Sequence, residues 1–180
     1  MVLHWGHKKV ARKALLASRF VGSALLVFGV FVAMAMPALA DGQLQGRPRV
    51  LSGDQLRIGK TQVQLYGLDA PEMDQYCENE YGRPYRCGVM ALDELKGMIG
   101  SNSISCVPEG VDEENRVLAV CYVGDMNINS RMVRTGWAVA RPAQRPDYQQ
   151  LESLAKRDKV GIWEFIFQDP AKWRAENPVN

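Results

Sequence analysis

Two neighbouring stretches decide how this chain folds: Ser52-Gly53-Asp54-Gln55-Leu56, and Val63-Gln64-Leu65-Tyr66-Gly67-Leu68-Asp69-Ala70-Pro71-Glu72. Residues 62–68 alternate in the period of a half-buried strand. Val63 and Leu65 face one way; Gln62, Gln64 and Tyr66 face the other. Residues 49–58 read as a strand before it, joined through Gly59-Lys60. Asp54, Asp69 and Glu72 then gather around a short strand pair. Hard oxygen ligands of this kind suit a Ca²⁺ ion, and a carboxylate beside them suits a water-activating base. Gln64 lies on the open face of the same strand.

Outward from this pair, residues 73–85 read as a polar loop, and Cys87–Ile99 as a helix with Val89, Leu92, Leu95 and Ile99 on one face. Residues 103–107 and 116–123 read as strands on either side of an acidic loop. Asn127 is placed to cap a helix carrying Ile128, Met132 and Val133, stopped by Gly136. Residues 137–140 are short and extended. A further helix follows Pro146-Asp147 and ends before Gly161. Three strands, a helix, two strands and two helices predict a mainly β fold with α: a five-stranded barrel of the OB type with about three helices. Residues 41–47 are expected to be a flexible lead-in and 175–180 a frayed tail.

The first forty of the 180 residues have a different character. Lys8, Lys9, Arg12, Lys13 and Arg19 precede an apolar run over 20–36, and Ala38-Leu39-Ala40 closes it. That is the pattern of a secretory signal peptide over 1–40, with cleavage before Asp41 and no permanent membrane span afterwards. The rival reading is a retained anchor. Without the segment, 17 basic residues face 20 acidic ones, so the whole-chain charge of +2 becomes −3 and argues for no nucleic-acid partner by itself. Attraction for phosphate must be local. Residues 41–180 suit one domain with one core. Both histidines, His4 and His7, lie in the signal, which excludes imidazole acid–base chemistry and histidine zinc sites from the rest.

Four cysteines in an exported chain predict two disulfides. Of three pairings, Cys77–Cys87 and Cys106–Cys121 are favoured: the first closes an irregular loop and the second joins neighbouring strands. The spacings are far from those of a Cys₄ zinc site.

Together, Ser-Gly-Asp at 52–54, Leu-Tyr-Gly-Leu-Asp-Ala-Pro-Glu at 65–72, Asn-Arg-Val-Leu-Ala at 115–119, Asn129 to Gly136 before Trp137-Ala138, and Gly161-Ile162-Trp163 resemble the staphylococcal nuclease (thermonuclease) family, and its exported, disulfide-bearing bacterial members in particular. The resemblance runs from about Val50 to Trp173. It implies an OB barrel and Ca²⁺-dependent hydrolysis of DNA and RNA phosphodiesters, with nucleic acid or a nucleotide as partner. It makes Asp54 and Asp69, with the Ala70 carbonyl, the metal ligands. Glu72 becomes the residue that activates water, and Arg116 a phosphate-binding arginine. Four positions depart from the family pattern: Ser52 replaces an Asp, Gln55 a Thr, Gln64 the first phosphate-binding Arg, and Glu114-Asn115 a Tyr-Gly. Loss of such an arginine costs on the order of 10³–10⁵ in rate, so weak activity is expected. Arg57, Arg83 and Arg86 are the candidate substitutes. The alternative is a catalytically silent module that binds a polyanion, a nucleotide or a cell-envelope partner. Trp137, Trp163 and Trp173 are read as packing residues rather than base-stacking ones.

Overall fold

The structure is a computed structural model and describes residues 42–178. The predicted signal segment and its cleavage site lie outside the described residues. Strands β1 (Leu44–Gly46), β2 (Pro48–Val50), β3 (Gln55–Ile58) and β4 (Thr61–Leu65) are followed by the short β5 (Leu68–Asp69), β6 (Cys77–Glu78) and β7 (Pro84–Tyr85). Then come α1 (Cys87–Ile99), β8 (Ile104–Val111), β9 (Val117–Val123), β10 (Met126–Asn127), α2 (Ile128–Arg134), β11 (Val139–Ala140), α3 (Tyr148–Asp158), a 3₁₀ turn (Gly161–Glu164) and α4 (Pro170–Glu176).

The main sheet runs β1-β8-β9-β4-β3-β2, with β10 added beside β9. Its two ends, β1 and β2, are consecutive in the chain and separated by Arg47 alone. The chain itself therefore joins the two edges of the sheet, which limits exposed edge. The β3–β4 hairpin turns at Gly59-Lys60, with Gly59 at a φ of 59° that favours glycine. β4 lies parallel to β9, with Leu65 opposite Ala119. This is the mainly β architecture with helices expected of an OB-type domain, but the main sheet has seven strands rather than five and is not closed, and the described residues form four α-helices rather than three.

Leu56, Val63 and Leu65 point inward and are at most 1% exposed; Ala91, Leu95 and Ile99 of α1 and Ile128, Met132 and Val133 of α2 cover them. Asn129 is fully buried with its hydrogen-bonding capacity used: its Oδ1 accepts from the Cys121 N–H, and its Nδ2 donates to the carbonyls of Tyr66 and Ala119. One side chain thus ties α2 to β9 and to the turn after β4. Cys106 and Cys121 stand opposite each other in the β8–β9 ladder, and both predicted disulfides, Cys77–Cys87 and Cys106–Cys121, are formed.

The structure corrects several boundaries. Residues 49–58 are not one strand, because Ser52-Gly53-Asp54 makes a tight turn in which the Leu51 and Ser52 N–H groups donate to the Gln55 carbonyl. The expected lead-in contains β1, and the expected tail overlaps α4. The 73–85 loop carries the β6–β7 pair. On α1 the buried face is Gly88, Ala91, Leu92, Leu95 and Ile99; Val89 lies off it.

Candidate functional site

The turn at 52–54 is pressed against α1 and the segment after β5. A Cβ on Gly53 would lie 2.7 Å from the Ala91 Cβ and 2.8 Å from the Ala70 Cβ. This crowding buries Asp54 to 5% exposure. Its Oδ1 accepts from the Ser52 hydroxyl at 2.7 Å, and its Oδ2 from the Ala70 N–H at 3.1 Å. Burial, and then the nearby Asp69 charge, push the Asp54 carboxyl above the usual range, against the pull of these hydrogen bonds and of Gln64. Ser52, where the family pattern has an acid, orients Asp54 without adding charge.

Asp69 is fixed by the two-stranded pairing of β5 with β11, in which it lies opposite Val139. The same pairing delivers Arg141, whose N–H donates to the Gly67 carbonyl. Arg141 bonds Asp69 through both Nε and Nη2, and reaches Asp169 as well. From the other side Arg174 of α4 grips Asp69 end-on, Nη1 to Oδ1 at 2.8 Å and Nη2 to Oδ2 at 2.7 Å. Its Nη1 also donates to Glu72 Oε1 at 2.5 Å. The hydrogen bond to Asp69 does most to raise the Arg174 pKa, so this guanidinium stays charged. Burial works against the charge on Arg141, but its bonds to Asp169 and Asp69 outweigh it and raise that pKa also.

Glu72 is held by its backbone. Its N–H donates to Gln75 Oε1, and the fully buried Gln75 in turn donates to the Gln168 carbonyl just before α4. Arg116, at the end of the acidic turn, donates from Nε to Asp112 Oδ2 at 2.6 Å and pairs with Glu114 at 2.9 Å. Gln64 lies opposite Gln55 on β3 and Leu118 on β9. All these residues line one cavity of about 560 Å³: Asp54, Gln64, Asp69, Glu72, Arg116 and Arg174, with Asp112, Glu114 and Arg141 on its wall.

The structure therefore brings together Asp54, Gln64, Asp69, Glu72 and Arg116, and Ala70 adjoins them through its N–H. It does not bring in Arg57, Arg83 or Arg86. Arg57 lines a separate depression with Lys60, Arg83 lies over the Tyr85 ring, and Arg86 precedes α1. The cations that do reach the cavity, besides Arg116, are Arg141 and Arg174. Sequence reasoning passed over both, although Asp169-Pro170 is a helix-start signal that announces α4. Asp169 does cap α4, accepting from the N–H groups of Ala171 and Lys172. Trp137 and Trp163 pack around the Cys77–Cys87 bridge with Ile162, as expected for packing residues.

A Ca²⁺ ion would draw on Asp54, Asp69 and the Ala70 carbonyl. These are hard donors. In this arrangement they do not fit the ion, because both oxygens of Asp69 already accept from guanidinium groups. Among the described residues no group of three or more His, Cys, Asp or Glu side chains is placed to hold a metal.

The docking of α4 has a pH signature. Burial opposes the Asp169 charge, but Arg141 and the cap N–H groups outweigh it and hold the carboxyl below its ordinary value. A folded pKa below the unfolded one adds stability above the unfolded pKa and loses it as pH falls through the folded one. Protection of the amides over 170–176 is therefore expected to fall below about pH 4, ahead of global unfolding, whereas Asp169→Asn, which cannot ionise, should lack that step and show reduced protection of α4 already at neutral pH. Equal protection of α4 and the main sheet down to pH 2 would contradict this.

Comparison with known proteins gives a consistent picture. Residues 62–165 match the family described as staphylococcal nuclease homologue. The succinoglycan biosynthesis protein ExoI of Rhizobium meliloti (strain 1021) is 30% identical over 156 residues, covering 85% of this chain and 80% of that protein. An "Uncharacterized endonuclease" of Haemophilus influenzae (strain ATCC 51907 / DSM 11121 / KW20 / Rd) is 28% identical over 66% of this chain and 62% of its own length. A "Probable endonuclease LCL3" of Clavispora lusitaniae (strain ATCC 42720) is 30% identical over 69% of this chain and 56% of its own length. The chain thus spans less than two thirds of each of the two endonuclease-named relatives.

Proposed function

Since this chain belongs to the staphylococcal nuclease family, we propose that it is an exported endonuclease-type hydrolase of DNA or RNA phosphodiesters, slowed by the changes at Gln64 and Ser52. The observation that carries the reading is the single cavity in which Glu72, Arg116, Gln64, Asp54 and Asp69 meet. Arg116 holds the phosphate electrostatically, and the Gln64 amide donates to it without charge. Glu72 accepts Arg174 through Oε1, which leaves Oε2 to take a proton from water. The water oxygen bonds to phosphorus as the ester P–O bond breaks, and the departing oxygen is protonated from solvent.

Ca²⁺ is the cofactor the family resemblance implies, with Asp54, Asp69 and the Ala70 carbonyl as its ligands; when bound, such an ion neutralises phosphate charge. With Asp69 engaged by Arg141 and Arg174 these residues do not fit the ion, and no step above runs through it.

The reading is tested by cleavage of single-stranded DNA, in Ca²⁺ and in chelator, by the wild type and by Gln64→Arg. The wild type is expected to be slow and the variant faster, by up to roughly 10²-fold for one well-placed donor. If both are folded and inert, the second reading takes over: a silent module for a polyanion, nucleotide or cell-envelope partner. Gln64 and Ser52 are what favour it.

Export rests on the signal pattern, and two disulfides accord with an oxidising compartment. No helix among the described residues is long and apolar enough to cross a membrane. Residues 41–180 form the proposed single mature domain, periplasmic or extracellular. Mass spectrometry of the native protein is expected to find Asp41 at the N-terminus; an intact Met1 in a membrane fraction would mean a retained anchor.

A further inference from the structure

Arg174 carries more than its ion pairs require. Its end-on pair, Nη1 and Nη2, is spent on Asp69, and the remaining Nη1–H on Glu72. The side edge of the guanidinium, Nε–H with the second Nη2–H, makes no hydrogen bond among the described residues. The side chain is 45% exposed and borders the same cavity as Gln64 and Arg116. A fork of two parallel N–H groups matches two oxygens of one phosphate. Asp69 and Glu72 hold that fork in place, so little side-chain freedom remains to be lost when an anion arrives.

Charge points the same way. Five carboxylates line the cavity (Asp54, Asp69, Glu72, Asp112 and Glu114), facing Arg116, Arg141 and Arg174. Without Arg174 only two cations would oppose them, and a phosphodiester would meet a strongly negative wall. Arg141 is the less suitable donor, because it is engaged on two sides by Asp69 and Asp169.

We propose that Arg174, delivered by α4 from outside the main sheet, is a phosphate-binding residue that supplies the cation missing at Gln64. Its free side edge takes the non-bridging oxygens of a substrate phosphate, opposite Arg116. The proposal rests on the nuclease reading of the cavity and names a binding residue for it. On this view Asp69 anchors the arginines of the site.

The test is binding of a fluorescein-labelled oligothymidylate to the full chain in chelator, by anisotropy, over a series of salt concentrations. Arg174→Gln is expected to weaken binding about tenfold and to flatten the log–log salt slope by about 0.7, the share of one single-strand phosphate contact. Arg174→Lys restores the charge without the fork, so it should regain the salt slope but not the full affinity. Lys172→Gln, on the exposed side of the same helix, should leave both unchanged. A merely structural arginine would lower the melting temperature without moving the salt slope. If Arg174→Gln binds or cleaves as well as the wild type or better, Arg174 only fills the cavity and the proposal is wrong. If Arg174→Gln fails to fold, Arg174→Lys decides: wild-type affinity there defeats the fork. A wild type that binds no oligonucleotide defeats this proposal and the nuclease reading together, whereas a binding wild type with an unaffected Arg174→Gln defeats this proposal alone.

Discussion

Glu72→Gln is expected to lower the rate of single-stranded DNA cleavage by roughly 10² to 10⁴, the usual contribution of a positioned general base. The amide keeps the size of the side chain and can still accept from Arg174 through its oxygen, but it cannot take a proton from water. Asp69 keeps both of its end-on bonds to Arg174, so α4 stays docked and oligonucleotide affinity should change little. The loss should therefore fall on kcat and not on KM. Melting temperature and kcat measured on the same preparation check both halves. An unchanged kcat in a folded variant would remove Glu72 from the chemistry.

The second large effect is structural. Gly88 lies in the first turn of α1, where the segment that carries Glu72 crosses it. A Cβ at position 88 would fall 1.8 Å from the Glu72 carbonyl oxygen and 2.4 Å from its carbonyl carbon. Both are backbone atoms tied down by the Gln75 hydrogen bonds and by the neighbouring Cys77–Cys87 bridge, so they cannot step aside cheaply. Gly88→Ala is expected to destabilise the protein by about 3 kcal/mol, the upper range of overpacking, even though alanine is the better helix former. Because the displaced segment holds Glu72, cleavage should fall as well, in molecules that remain folded. Urea unfolding gives the stability change. A difference under about 0.5 kcal/mol, the level of an ordinary surface substitution, would contradict the packing argument.

What could be read from the sequence, and what could not, follows from the range of the interactions involved. The strand at 61–65 was legible because Val63 and Leu65 alternate with Gln62 and Gln64, and the buried face is the one that pattern names. The α2 cap was legible because Asn127 acts on the residue three ahead of it. The cysteine pairs were legible because each closes a short loop, of 10 or 15 residues. The turn at 51–54 is hidden, since Val50, Leu56 and Ile58 keep the two-residue period of a single strand across it. β1 has only three residues and little side-chain pattern to reveal it. The harder miss was the cation set. Arg174 meets Asp69 across 105 positions and Arg141 meets it across 72, so no local spacing connects them. Arg57, Arg83 and Arg86 stand nearer the motif in sequence, but none of them lines the cavity. Asp54, Asp69 and Glu72 are visible in two neighbouring stretches, but Arg141 and Arg174, which hold Asp69, belong to the tertiary fold.

The most direct test of the account is a crystal structure of Glu72→Gln soaked or grown with a short single-stranded oligonucleotide. The account predicts a backbone phosphate inside the cavity lined by Gln64, Asp69 and Arg116, within hydrogen-bond distance of the Arg116 guanidinium and facing the substituted side chain at position 72. An oligonucleotide bound elsewhere on the surface, with no phosphate in that cavity, would contradict it.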